Sequence, residues 1–283
     1  MRLPELYNNK NLTISFEVFP PDTDEKCEKL LDEMVVLTSS KPDFISLTYG
    51  AGGKNNEQAK NVLASLHKNF EIEIMPHFTC MCSNKEFIDQ NLDFLKNLGT
   101  QNILALRGDR PLDKNLQCTD FLYANELVEY LKEKTDFSIA VAGYPEGHIE
   151  ANNIEDDIKN LKRKIDAGAD TIFTQLFFDN DKFYKYQELV SKANISVPIV
   201  AGIMPIISLK QLQRMTNLAR VTIPQKLKNK IEQHKEDKHY IREFGIEFAS
   251  EQCENLIKNG TKGLHFFTLN KSYSTTQILK NIQ

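Results

Sequence analysis

Apolar residues in this chain gather into short runs of strand length, separated by longer stretches in which they recur every three or four positions. The runs, rich in β-branched and aromatic residues, predict strands over 14–19, 43–49, 74–80, 102–108, 138–144, 171–178, 199–205 and 263–269. Between them, Asp24 to Leu37 sets Leu30, Leu31, Met34, Val35 and Leu37 at helical spacing, and Glu86 to Leu98 does the same with Phe87, Leu92, Phe94, Leu95 and Leu98. Helices are also predicted over 123–132, 156–167, 182–192 and 208–219, and Asn97-Leu98-Gly99 and Asp166-Ala167-Gly168 read as helix stops.

Strand and helix alternating in this way predict a parallel sheet, and eight such strands close most naturally into a (β/α)8 TIM barrel. A doubly wound open sheet is the alternative; no Gly-x-Gly-x-x-Gly turn follows any strand. The charged stretch 220–252 breaks the rhythm and predicts one or two extra surface helices inserted before the last strand, presenting a solvated face. With no low-complexity linker, one barrel domain over 1–283 is expected.

Composition adds mainly exclusions. A hydrophobic content of 41% with 26% charged residues is that of an ordinary soluble globular protein. The net charge of -4 comes from intermixed signs, so nucleic acid is not an expected partner. No apolar run approaches the roughly 20 residues of a membrane helix, and Met1 to Leu12 does not resemble a secretory signal. The five cysteines, Cys27, Cys80, Cys82, Cys118 and Cys253, lack metal-ligand spacing, so reduced thiols and a cytoplasmic location are expected.

The candidate chemistry lies at strand ends, where a barrel builds its site. Ile14 to Phe19 is an apolar strand stopped by Pro20-Pro21, and it carries Glu17. A carboxylate in such surroundings is expected to have a raised pKa and to serve as a general acid; a structural ion pair is the alternative for an isolated Glu. The next strand ends offer Thr48, His77 with Thr79, Arg107 with Asp109, Tyr144 with His148, and Gln175. Six consecutive strands each presenting a polar group predict a polar ligand in the barrel mouth, since each group would otherwise need its own buried partner. Gly202 to Pro205 and Phe267 to Lys271 add an apolar and a polar wall, which suits a flat, partly apolar ring system.

Other chemistries fit less well. Only Lys271 stands near a strand end as a Schiff-base lysine would, and His77, His148 and His265 come singly rather than in metal-binding pairs. Gly50 to Lys54 lacks Walker spacing and reads as a loop; Arg107-Gly108-Asp109 reads as a strand end.

Ser15 to Pro21, Ser46 to Ala51, Pro76 to Cys80, Ala105 to Asp109 and Tyr144 to His148 together resemble the methylenetetrahydrofolate reductase family, in its bacterial single-domain form. The similarity continues in order through Leu161 to Ala169, Thr174 to Asp179, Gly202 to Pro205 and His265 to Asn270. It implies a (β/α)8 barrel holding FAD, reduced by NADH or NADPH in a ping-pong cycle. The product would be 5-methyltetrahydrofolate from 5,10-methylenetetrahydrofolate, a step of one-carbon metabolism that supplies methyl groups for methionine synthesis. A homo-oligomer is expected.

The same resemblance implies roles. Glu17 would be the acid that assists opening of the folate's five-membered ring. Asp109 would sit by the flavin and accept hydrogen bonds from the pterin, and Gln175 would contact folate and nicotinamide in turn. Thr48, His77, Arg107, Gly108 and Tyr144 would line the flavin. His148, Asp157, Asn160, Arg163 and Lys164 would hold its ribose, phosphates and adenine side, the last four from one broad side of one helix. Gln211 and Lys271 would contact the folate tail. Three positions depart from the family's usual residues: Phe267 stands for Tyr, Lys271 for Arg, and Met215 for an aromatic expected on the pterin. No regulatory domain follows the barrel in this sequence, so adenosylmethionine inhibition is not expected.

Overall fold

Residues 1–48, 56–109 and 120–283 are described by the computed structural model; Tyr49, the Gly50 to Lys54 stretch and Cys118 lie outside them. Eight parallel strands, β1 (Thr13–Val18), β2 (Phe44–Leu47), β3 (Ile74–Thr79), β4 (Asn102–Leu106), β5 (Ser138–Gly143), β6 (Thr171–Leu176), β7 (Ile199–Ile203) and β8 (Gly263–Phe267), close into a barrel in sequence order. This is the TIM-barrel architecture, and β1 pairs with β8 to complete it. The helices are α1 (Leu3–Asn9), α2 (Asp24–Ser39), α3 (Asn56–Asn69), α4 (Lys85–Asn97), α5 (Ala124–Lys134), α6 (Ile154–Asp166) and α7 (Asn180–Lys192). They continue with α8 (Leu209–Ala219), α9 (Gln225–Gln233), α10 (Lys238–Lys258) and α11 (Tyr273–Asn281).

Alternation along each strand divides the apolar residues into two groups. Phe16, Val18, Ile45, Ile74, Phe78, Ile103, Ile139 and Ile172 point outward and pack with the helices. Phe44, Met75, Leu104, Ala140, Phe173 and Val200 fill the barrel interior and meet Leu3, Leu6 and Tyr7 of α1. Helix α1 therefore covers the N-terminal end of the barrel, fixed by Asn102, whose side chain accepts from the Leu3 amide at 2.8 Å and donates to the Met1 carbonyl at 3.0 Å.

Most predicted strands stop one to two residues early because their last residues turn into the loops at the barrel's C-terminal end. Gly108 adopts a φ of 86° and Leu269 one of 52°, both outside strand geometry. Asn270, also at positive φ, ties that loop to the end of β1 by donating to the Phe19 carbonyl at 2.8 Å and accepting from its amide at 2.9 Å.

The insertion before β8 is α9 and α10, but it is not simply a solvated face. Leu227, Ile231 and Ile241 join Leu176, Phe178, Met204, Ile206 and Leu212 in a further apolar cluster beside the ends of β6 and β7. Helix α10 also buries Ile246, Ala249, Cys253 and Leu256. Its Gly245 lies so close to the Ile206 carbonyl that an added Cβ would come within 2.0 Å of the oxygen. Cys27, Cys80 and Cys253 are free thiols, whereas Cys82 is disulfide-bonded, which corrects the expectation of reduced thiols throughout.

Candidate functional site

A cavity of about 720 Å³ opens at the C-terminal end of the barrel, built where β2 to β5 run out into their loops. Thr48 enters from β2, Thr79 and Met81 from β3, and Arg107, Gly108 and Asp109 from β4. Ala142, Tyr144, His148 and Glu150 come from β5 and its loop, and Asp157, Asn160, Arg163 and Lys164 from α6. Ten residues predicted for the cofactor site thus share one wall system. Gly108 is required by its surroundings as well as its φ, since a Cβ there would stand 3.1 Å from that of Thr79.

The charge in this cavity is unevenly held. Arg107 forms a bidentate pair with Glu150, Nη1 to Oε2 at 2.6 Å and Nη2 to Oε1 at 2.9 Å, which raises the guanidinium's pKa. Burial pushes the Lys164 amine down to about 8 even though Asp157 opposes the shift. The Nζ of Lys164 donates to the Ala142 carbonyl at 2.6 Å and lies 5.9 Å from the centre of the Tyr144 ring. Burial also raises the Asp157 carboxyl, lowers His148 and pushes the Tyr144 hydroxyl up to about 12. Tyr144 and His148 meet edge to face, with ring centres 4.7 Å apart. On α6, Asn153 caps the helix by accepting from the Asp156 amide, and Arg163 Nη1 donates to Asn160 Oδ1 at 3.0 Å.

Beside this cavity lies a second polar cluster inside the barrel. Register places Glu17 next to Ser46 and Phe267, and Ser15 next to His265. Ser15 Oγ is 2.8 Å from His265 Nδ1, while Ser46 Oγ lies 3.3 Å from His265 Nε2 and 3.0 Å from His77 Nε2. Glu17 Oε2 faces both rings, 3.6 Å from His77 Nε2 and 3.8 Å from His265 Nε2, distances of electrostatic contact rather than formed hydrogen bonds.

Two opposed effects act on Glu17. Burial pushes its carboxyl up, but polar interaction with His265 and the charge of His77 outweigh it, so the net direction is down. The expectation of a raised pKa is corrected: the sequence shows the apolar strand but not the imidazoles brought from β3 and β8. His77 itself is shifted down by burial.

The remaining predicted residues do not line the main cavity. Gln175 turns back to accept from the Leu176 amide at 2.9 Å. Gln211 bonds its own loop, donating to the Pro205 carbonyl and accepting from the Ile207 amide. Lys271 is 62% exposed and pairs with Glu33 at 3.3 Å. Conversely, Tyr123, Asn125 and Glu150 line the cavity without having been singled out. For Glu150 a signal existed, since it lies two residues beyond His148 in the same loop.

Fold and site together define a TIM-barrel protein with a cation-bearing cavity at its mouth, flanked by a cluster of one partly buried carboxylate and two buried imidazoles. The chain matches the family described as methylenetetrahydrofolate reductase over residues 2–283, and it belongs to that family. It is 39% identical over 282 residues to an Arabidopsis thaliana protein named methylenetetrahydrofolate reductase (NADH) 1, covering 95% of this chain and 48% of the relative. A Zea mays protein of the same name is 37% identical, with 99% of this chain and 50% of the relative covered. The chain thus spans about half the length of these curated relatives. With the 5,10-methylenetetrahydrofolate reductase of Escherichia coli it shares 34% identity over 261 residues, covering 92% of this chain and 87% of that one.

Among solved structures, a Clostridium thermocellum protein described as binding two copies of 5-methyl-5,6,7,8-tetrahydrofolic acid matches the fold with a TM-score of 0.63. Its sequence identity is 15%, over 100% of this chain and 98% of that one.

Proposed function

We propose that the protein reduces 5,10-methylenetetrahydrofolate to 5-methyltetrahydrofolate with electrons from a nicotinamide dinucleotide, using bound FAD in a ping-pong cycle. The observation that carries this reading is the adjacency, within a chain of this family, of the cationic cavity and the Glu17–His77–His265 cluster. NADH is the donor that the names of the Zea mays and Arabidopsis relatives favour. The same reading places the protein in the cytoplasm, as one barrel domain and as a homo-oligomer; among the described residues no helix is long and apolar enough to cross a membrane.

The residues present fit FAD. Lys164 brings a partly buried cation to the cavity, Arg163 and Arg107 add charge that suits a pyrophosphate, and Gly108 leaves room for a close backbone approach. When bound, the flavin would accept a hydride from the nicotinamide and pass one to the folate. Thr48, Tyr144 and Asp109 would position its ring, while His148, Asp157 and Asn160 would hold the sugar and nucleotide side.

Glu17 would deliver the proton that opens the folate's five-membered ring. Because the imidazoles favour its ionised form, that proton is not stored on Glu17 in the resting protein. The carboxylate would take it up when the folate binds, held in place by His77 and His265, both within 4 Å, with Ser46 and Ser15 fixing their ring orientation. Gln175 would reach the folate and nicotinamide by releasing its bond to the Leu176 amide. Gln211 and Lys271 would reach the folate tail only after leaving Pro205 and Glu33.

The direct test is anaerobic mixing of the purified yellow protein with NADH and, separately, NADPH, followed by addition of methylenetetrahydrofolate. Bleaching of the flavin band and its return on folate addition are the expected results. A protein that binds no flavin, or whose reduced flavin is not reoxidised by the folate, would overturn the reading.

A further inference from the structure

We propose that Glu146, which does not line the cavity, is a positioning residue that ties the folate-side wall of the site to the loop carrying His148. The proposal rests on the reductase reading for its consequences, while its structural basis is independent of it.

Glu146 follows Tyr144-Pro145 beyond β5 and precedes Gly147, whose φ of 84° and amide bond to the Tyr144 carbonyl make a tight turn. Although it sits in a surface loop, its side chain is only 10% exposed. Its carboxylate accepts three bonds: from Lys182 Nζ near the start of α7, from the Thr222 amide at 3.0 Å and from Thr222 Oγ1 at 2.5 Å. Lys182 Nζ also donates to Thr222 Oγ1 at 2.8 Å, closing a three-cornered network.

Thr222 lies between α8 and α9, just past Arg220, which ends α8 in the left-handed conformation. Its neighbours Val221 and Ile223 both pack on the apolar cluster formed by β6, β7 and the inserted helices. Glu146 therefore grips the chain between two anchored side chains, on the segment leading out of the helix that carries Gln211 and Met215. A largely buried carboxylate with three donors is specific to this arrangement, because removing its partners would leave an uncompensated charge. One side chain thus holds the β5 loop, α7 and the inserted wall in register, an arrangement through which binding on one side can be felt on the other.

The test uses Glu146→Ala, Thr222→Val and their combination in the flavin-loaded protein. Each single change should raise the KM for methylenetetrahydrofolate about tenfold, equivalent to about 1.4 kcal/mol, and leave flavin bleaching by NADH within about twofold of the parent. The double variant should be no worse than Glu146→Ala alone, because Thr222→Val takes away only the hydroxyl arm of the link that Glu146→Ala removes whole. Hydrogen exchange on the flavin-free protein provides a readout independent of catalysis: Glu146→Ala should lose protection at 221–223 as well as at 146–148. If Glu146→Ala does not fold, Lys182→Met with Thr222→Val removes both side-chain donors, leaves the Thr222 amide, and should give a smaller KM effect of the same kind. Additive KM effects, or exchange confined to the Glu146 loop, would overturn the coupling. Failure of the parent protein to turn over folate would instead overturn the reductase reading and leave the exchange result decisive for Glu146.

Discussion

Arg107 and Glu150 lie side by side in the cavity wall as a two-pronged ion pair, the arginine at the end of β4 and the glutamate in the loop after β5. The pair orients the guanidinium, whose Nε donates to the Gly108 carbonyl at 3.2 Å, toward the part of the cavity assigned to the flavin. Glu150→Ala should release Arg107 and weaken FAD binding three- to tenfold, about 0.7–1.4 kcal/mol, as measured by fluorescence titration of the flavin-free protein. Tighter binding would show that Glu150 competes with the ligand for the arginine.

Glu17→Gln keeps the shape of the side chain and removes its ability to transfer a proton. Reduction of the flavin by NADH should proceed at the parent rate, while reoxidation by methylenetetrahydrofolate should slow by about 10²–10⁴-fold. Stopped-flow spectra of the two half-reactions check this. Equal slowing of both would remove Glu17 from the acid role.

Lys164 supplies a pH dependence with a definite sign. Its amine titrates near 8 in the folded chain against an ordinary value of 10.5, so between these values the unfolded chain holds a proton that the folded chain lacks. Stability of the flavin-free protein should therefore rise with pH through that window, and the penalty for burying the cation should be complete below pH 8. Lys164→Met should raise the melting temperature of the flavin-free protein at pH 7 by about 2–4 °C, with the gain fading toward pH 10.5. The same variant should bind FAD more weakly. A melting difference that does not change with pH would show that the lysine is not desolvated.

Gly245→Ala tests how tightly α10 is seated. The added methyl would meet the Ile206 carbonyl at 2.0 Å, and backbone cannot be displaced cheaply. A loss of about 1–3 kcal/mol in chemical denaturation is expected, together with a raised folate KM, because Ile206 belongs to the same apolar cluster as Leu212 of α8. Full stability would show that the helix shifts freely.

The barrel was legible because its strands alternate outward residues such as Phe16 and Val18 with inward residues such as Ser15 and Glu17, a pattern local to each strand. Less visible was α3, whose buried stripe of Ala59, Val62, Leu63 and Leu66 is short and lies among polar residues. The α6 residues Asp157, Asn160, Arg163 and Lys164 came from the resemblance to the reductase family; their helical spacing alone reads as a solvated face. The ionisation of Glu17 was misjudged because it depends on His77 and His265, which chain closure alone brings beside it. Glu146 was equally hidden: its partners Lys182 and Thr222 belong to separate elements, and neither is unusual in sequence. Local periodicity reveals strands and helix faces, whereas electrostatics between strands requires the register.

Leu3, Leu6 and Tyr7 stopper the barrel beneath Phe44, Met75 and Phe173, so the axis is blocked from below. Whatever reaches the interior must come and go through the upper rim. Under the function proposed above, an electron donor and an acceptor using that rim would take turns, the first departing before the second approaches.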